Sequence, residues 1–178
     1  MTGIEYIQLK AFARIDGALL ALVLVGCFVC YLLGMQAPLY GIGAMALAVS
    51  VPFLVGWRLK RFRDKGLDGQ ISFLRGLGYV VFVFFYGGLL FALAQYAYFA
   101  YLDGGYLANM LTEMMSQPEN SEMLRQLGMT QQIDESLELM RQMRPIDLSL
   151  QGLTMLLMIG PLVGIPVAAL LKRELKKN

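Results

Sequence analysis

Charged residues are absent from three long stretches of the chain, Gly17 to Trp57, Gly76 to Leu102 and Leu148 to Leu171. An apolar run of about 20 residues at 1.5 Å rise crosses the hydrocarbon core of a bilayer. The first stretch is long enough for two crossings, and Gly34-Met35-Gln36-Ala37-Pro38 supplies the glycine and proline of a turn between them. The pattern predicts four spans, near 15–34, 38–57, 76–102 and 148–171, in one all-α membrane domain covering 1–178. The first span lacks a small-x-small cleavage site and runs at once into a second apolar arm, so it is read as a span and not as a cleaved signal. Ahead of it, Ile4, Ile7, Ala11 and Ile15 recur at helical spacing, which predicts an interfacial segment that continues into span one.

A different pattern holds between spans three and four. Leu107, Met110, Leu111, Met114 and Met115 share a helical face, and Ile133, Leu137, Met140 and Met143 share another. Short amphipathic helices are expected near 104–117 and 130–143, with breaks at Gln117 to Ser121 and at Leu127-Gly128-Met129 that divide the segment into two or three helices. Thr130 is the expected N-cap of the second. Leu107, Met110, Met114, Ile133, Leu137 and Met140 form a candidate docking face, while Glu113, Glu135, Glu138 and Arg141 are expected to face water.

Charge orients these elements. Residues 58–75 hold six basic side chains (Arg58, Lys60, Arg61, Arg63, Lys65 and Arg75) against Asp64 and Asp68. The tail from Lys172 is net +3, and Lys10 and Arg14 flank span one. Segment 103–147 carries three basic and eight acidic residues. Four spans place all the basic segments on one side and the acidic one on the other. Short cytoplasmic loops are enriched in Lys and Arg, so the expected topology has both termini and the basic loop in the cytoplasm and 103–147 outside. The bilayer then accounts for the basic block, and nucleic acid is not an expected partner.

Small residues mark where helices can approach closely. Gly160, Gly164 and Ala168 repeat every four residues in span four, and Ala44 and Ala48 do so in span two. Pro161 and Pro166 are expected to kink span four, and Gln95 to bond a neighbouring helix. Tyr96, Tyr98, Phe99 and Tyr101 place a membrane boundary near the end of span three. Cys27 and Cys30 form a CxxC inside span one, where small buried thiols are the expected reading.

Candidate chemistry is sparse. There is no histidine, and no Asp, Glu, Lys or Arg is expected within a span. Seven of the twelve methionines lie between Met110 and Met143, a thioether cluster of the kind that binds Cu(I), but an adaptable apolar face is the preferred reading. No catalytic residue, metal or cofactor is expected. The leading expectation is a non-enzymatic accessory or subunit protein with a protein partner or a second copy of itself. A small oligomeric transporter or lipid-handling protein, and a lipid-head-group enzyme using Asp64 and Asp68, are the alternatives.

Three motifs carry a family resemblance: Leu67-Asp68-Gly69-Gln70-Ile71-Ser72-Phe73 with Gly76, Gly128-Met129-Thr130-Gln131-Gln132-Ile133, and a last span with GxxxG-like spacing ending in Leu171-Lys172-Arg173. With the four spans and the acidic segment, these resemble a bacterial membrane family catalogued as domain of unknown function 4199, over nearly the whole chain from Ala11. That family more usually has Gly-Gly before Ile-Ser-Phe and Asp-Pro after span three, where this chain has Asp68-Gly69-Gln70 and Asp103-Gly104. The resemblance implies an inner-membrane protein of Bacteroidetes-type bacteria, and it implies no catalytic residue or substrate.

Overall fold

The computed structural model describes residues 3–173, and side chains from Glu5 onward. Residues 174–178 of the basic tail and the side chain of Ile4 lie outside the described residues. Seven helices follow one another: α1 (Gly3–Gly34), α2 (Pro38–Gly66), α3 (Phe73–Tyr101), α4 (Tyr106–Ser116), α5 (Pro118–Gln126), α6 (Thr130–Gln142) and α7 (Pro145–Leu171). No strand occurs among the described residues, only a single β-bridge between Ile71 and Arg173. Four helices, α1, α2, α3 and α7, are long and apolar enough to cross a membrane.

The chain forms two compact units. Among the described residues, the first comprises 3–93 and 152–173, and the second 94–151. In the first unit each long helix turns a periodic stripe inward. Leu9, Ala13, Asp16 and Leu20 do so from α1, Val51, Val55, Leu59 and Phe62 from α2, and Tyr79, Val80, Val83 and Phe84 from α3. Three- and four-residue spacing is what places side chains on one face of a helix. The outward faces remain apolar: Leu22, Phe53, Leu162 and Leu170 are each at least 70% exposed. Exposed apolar surface of this kind marks a membrane or protein contact, and the length of these helices suits a bilayer. Ile7 and Ile15, part of the stripe seen in the first residues of the sequence, also face outward.

Glycine lets the helices of this unit touch through their backbones. A Cβ added at Gly17 lies 2.8 Å from Tyr86 Cβ and 2.9 Å from the Gly87 nitrogen, so α1 and α3 cross there with no room for a side chain. The α1–α2 turn is equally close, since a Cβ at Gly34 lies 2.8 Å from the Gly41 nitrogen.

The basic stretch is arranged differently from a loop. α2 continues past Trp57 to Gly66, and α3 begins at Phe73, so only residues 67–72 connect them. Charge marks where hydrocarbon ends, whereas Arg and Lys are themselves good helix formers and carry the helix on into water. Asp68 (φ 51°) and Gly69 (φ 80°) make the left-handed reversal after α2.

In the second unit, a third short helix, α5, occupies residues that the sequence marks as a break. Pro118 is at its N-terminal end, where a missing N–H costs nothing. Asp103 accepts bonds from the Gly105 and Leu107 amides and so caps α4 from outside the helix. Thr130 is not a cap. It is the first residue of α6, Met129 precedes it, and no side chain bonds the free amides there. Gly128, at φ 67°, ends α5 in the left-handed conformation and leaves Met129 to supply the first acceptor, to Ile133.

Candidate functional site: a buried ionic cluster at the basic end

Asp16 sits in the first half of α1, 2% exposed. The expectation that no Asp, Glu, Lys or Arg lies within a span is therefore incorrect. Arg58 of α2 donates to Asp16 Oδ1 through Nε and pairs with it through Nη2. The Tyr79 hydroxyl of α3 donates to Asp16 Oδ2. One carboxylate thus gathers three helices. Burying a charge away from water is costly unless it is paired and hydrogen-bonded, and both oxygens of Asp16 are. Aromatic rings surround the cluster. Tyr79 stacks on Phe62 at 4.8 Å, Phe62 meets Phe12 at 5.1 Å, and the Arg58 guanidinium lies 5.3 Å from the Trp57 ring.

The other predicted basic residues divide into two groups. Arg63 turns inward, donating to the Leu171 carbonyl at the end of α7 and to Asp64. Arg75 pairs with Glu5 at 3.3 Å, while its Nε and Nη2 are buried with no hydrogen-bond partner among the described residues. Lys60, Arg61 and Lys65 are exposed. Asp64 and Asp68, the two carboxylates considered for chemistry, serve an ion pair and a left-handed turn respectively.

Three chain segments meet at this end. Ile71 and Arg173 exchange backbone hydrogen bonds in both directions, at 3.0 and 2.9 Å, which fastens the α2–α3 connector to the end of α7. Gln8 of α1 donates to the Gly66 carbonyl that ends α2.

The small-residue stripe of α7 lies against α3. A Cβ at Gly160 falls 2.9 Å from Phe84 Cβ, one at Gly164 falls 2.9 Å from Leu77 Cδ1, and Ala168 is buried beside Gly76. Ala44 is buried and its carbonyl accepts the Cys27 thiol, whereas Ala48 is exposed. Cys27 and Cys30 are free and half-buried. In the second unit Leu107 is buried, and Met110, Met114, Ile133, Leu137 and Met140 are half-buried. Glu113, Glu135, Glu138 and Arg141 are exposed. Met123, Leu127 and Leu139 are exposed as well, and their outward position was not singled out by helical periodicity. A cavity of about 210 Å³ within this unit brings Phe99, Leu107, Met140 and Met143 together with Asp103 and Arg141. Gln95 is buried, and its Oε1 has no partner among the described residues. Among the described residues, no three His, Cys, Asp or Glu side chains converge as a metal site.

The family described as "Protein of unknown function (DUF4199)" matches residues 16–173. The chain belongs to this family. The matched region of this family member begins at Asp16 and ends at Arg173, so it takes in both the buried acid and the residue that fastens α7 to the connector. With its four long apolar helices, this DUF4199 protein is a multi-pass membrane protein. Neither the curated proteins nor the solved structures provide a match.

Proposed function

We propose that the protein is a non-enzymatic accessory or subunit protein of a bacterial cytoplasmic membrane, oriented with both termini and the basic end inside and residues 103–147 outside. The observation that carries this reading is the meeting of the α2–α3 connector, the start of α1 and the end of α7 at one end. Among the described residues, that end gathers Lys10, Lys60, Arg61, Lys65 and Lys172 in addition to the paired arginines. The positive-inside bias then favours the cytoplasm for this end. An accessory role is supported by how the carboxylates are used. Asp16 holds three helices together, Asp64 pairs with Arg63, Asp103 caps α4 and Asp147 pairs with Arg144.

On this reading, residues 103–147 present a net −5 surface from which Met123, Leu127 and Leu139 project. It suits a protein partner, or a second copy, that offers apolar contacts framed by basic side chains. A photo-crosslinking side chain at Leu127 in native membranes should give a discrete adduct, and Leu139→Asp in the same chain should abolish it without lowering the amount of inserted protein. Persistence of the adduct in Leu139→Asp, or the absence of any adduct, would remove the proposed surface.

A further inference from the structure

We propose that the groove between α2 and α7, with the basic cleft that adjoins it, binds one anionic phospholipid. Pro52 and Phe53 of α2 and Val167, Leu170 and Leu171 of α7 line a groove of about 320 Å³ that is almost wholly apolar. Its floor is at Gly56, where a Cβ would be 3.7 Å from Val167 Cγ1 and 4.0 Å from Leu171 Cδ1. Trp57 and Lys60 border this groove and also border a cleft of about 440 Å³ lined by Arg61, Asp64 and Lys65. The two cavities thus adjoin at Trp57 and Lys60. From Pro52 to Lys65 they follow about 20 Å of helix, at 1.5 Å per residue. That is the reach of a phosphate, a glycerol and the first part of an acyl chain.

The chemistry of the two ends matches an amphiphile in one orientation. Lys60, Arg61 and Lys65 are exposed, and none forms an ion pair within 4.0 Å among the described residues. The one acid of the cleft, Asp64, is bonded to Arg63 at 2.7 Å. The cleft therefore offers three cations to an anion. Trp57 stands between its apolar and basic parts, 57% exposed, with the Arg61 guanidinium 6.0 Å from its ring. Tryptophan prefers the level of the head groups. That level puts the cations beside lipid phosphate and the groove beside the acyl region. A soluble anion would use the upper cleft alone. A zwitterionic lipid fits the groove but brings a cation towards Lys60, Arg61 and Lys65. The site does not depend on which side of the membrane the basic end faces, so it stands apart from the proposed orientation and role.

The test uses the full-length protein in a neutral detergent, titrated in native mass spectrometry with phosphatidylglycerol, with phosphatidylcholine of the same acyl chains, and with glycerol phosphate. The wild type should bind the first phosphatidylglycerol more tightly than phosphatidylcholine, and glycerol phosphate at equal concentration should not displace it. The variant K60Q/R61Q/K65Q should lose the preference, with binding weakened roughly fivefold per charge removed. All three side chains are exposed, so its unfolding temperature without lipid should match that of the wild type. Gly56→Leu should weaken both lipids by filling the groove, and Phe53→Ala should do the same by removing its wall if Gly56→Leu folds poorly. Equal affinity for the two lipids, an unchanged preference in K60Q/R61Q/K65Q, displacement by glycerol phosphate, or full binding by the groove variant would each overturn the proposal.

Discussion

Arg58→Met should destabilise the protein by roughly 3–5 kcal/mol, the usual cost of removing one partner of a buried ion pair. Asp16 would be left 2% exposed with a tyrosine hydroxyl as its remaining partner. Asp16→Asn should also destabilise, because Arg58, at 12% side-chain exposure, loses its counter-ion. The double variant D16N/R58M should recover most of the loss. The carbonyl of the introduced asparagine can still accept the Tyr79 hydroxyl and neither uncompensated charge remains, while the buried asparagine amide, left without an acceptor, keeps the recovery short of complete. Denaturant unfolding in micelles, carried out as a double-mutant cycle, measures the coupling. Additive losses would show that the two side chains do not depend on each other.

The second large effect is steric. Gly17→Leu should lower the unfolding temperature most, Gly160→Leu next and Gly164→Leu less, with Leu170→Ala close to wild type. The ranking follows from what each new Cβ meets. At Gly17 it meets the backbone of α3, at Gly160 the Cβ and ring root of Phe84, and at Gly164 the mobile end of Leu77. Overpacking costs typically about 1–3 kcal/mol and more where backbone must move. Leu170 is 83% exposed, so trimming it leaves no buried gap. Equal effects of Gly164→Leu and Leu170→Ala would place the α7 stripe in lipid.

The elements that the sequence revealed best are those set by local physics. Uncharged apolar runs locate the four long helices because hydrocarbon excludes charge irrespective of tertiary contacts. The four-residue repeat Gly160, Gly164 and Ala168 points to a close helix contact because only small residues permit one. Other features depend on partners far along the chain. Asp16 stands near Arg14 and beside Gly17, where a lone acid looks like the polar flank of a span. Its partners Arg58 and Tyr79 lie 42 and 63 residues away, and no local pattern joins them. Gly17 is the only glycine between Gly3 and Gly26, and Gly87 is one of an adjacent pair, so their crossing leaves no periodic trace. The basic block reads as a loop in the sequence because its charge is informative about water and silent about backbone. Pro118 is similarly ambiguous, since proline ends one helix and begins the next equally well.

Orientation is the claim on which the proposed role depends, and cysteine accessibility tests it most directly. With Cys27 and Cys30 replaced by alanine, Ser121→Cys and Gln70→Cys each leave a single thiol at an exposed position. In intact spheroplasts an impermeant maleimide should label the thiol at 121, while that at 70 should react only after the membrane is opened. Labelling of position 70 but not 121 in intact spheroplasts would contradict the account, placing the basic end outside and the acidic helices in the cytoplasm.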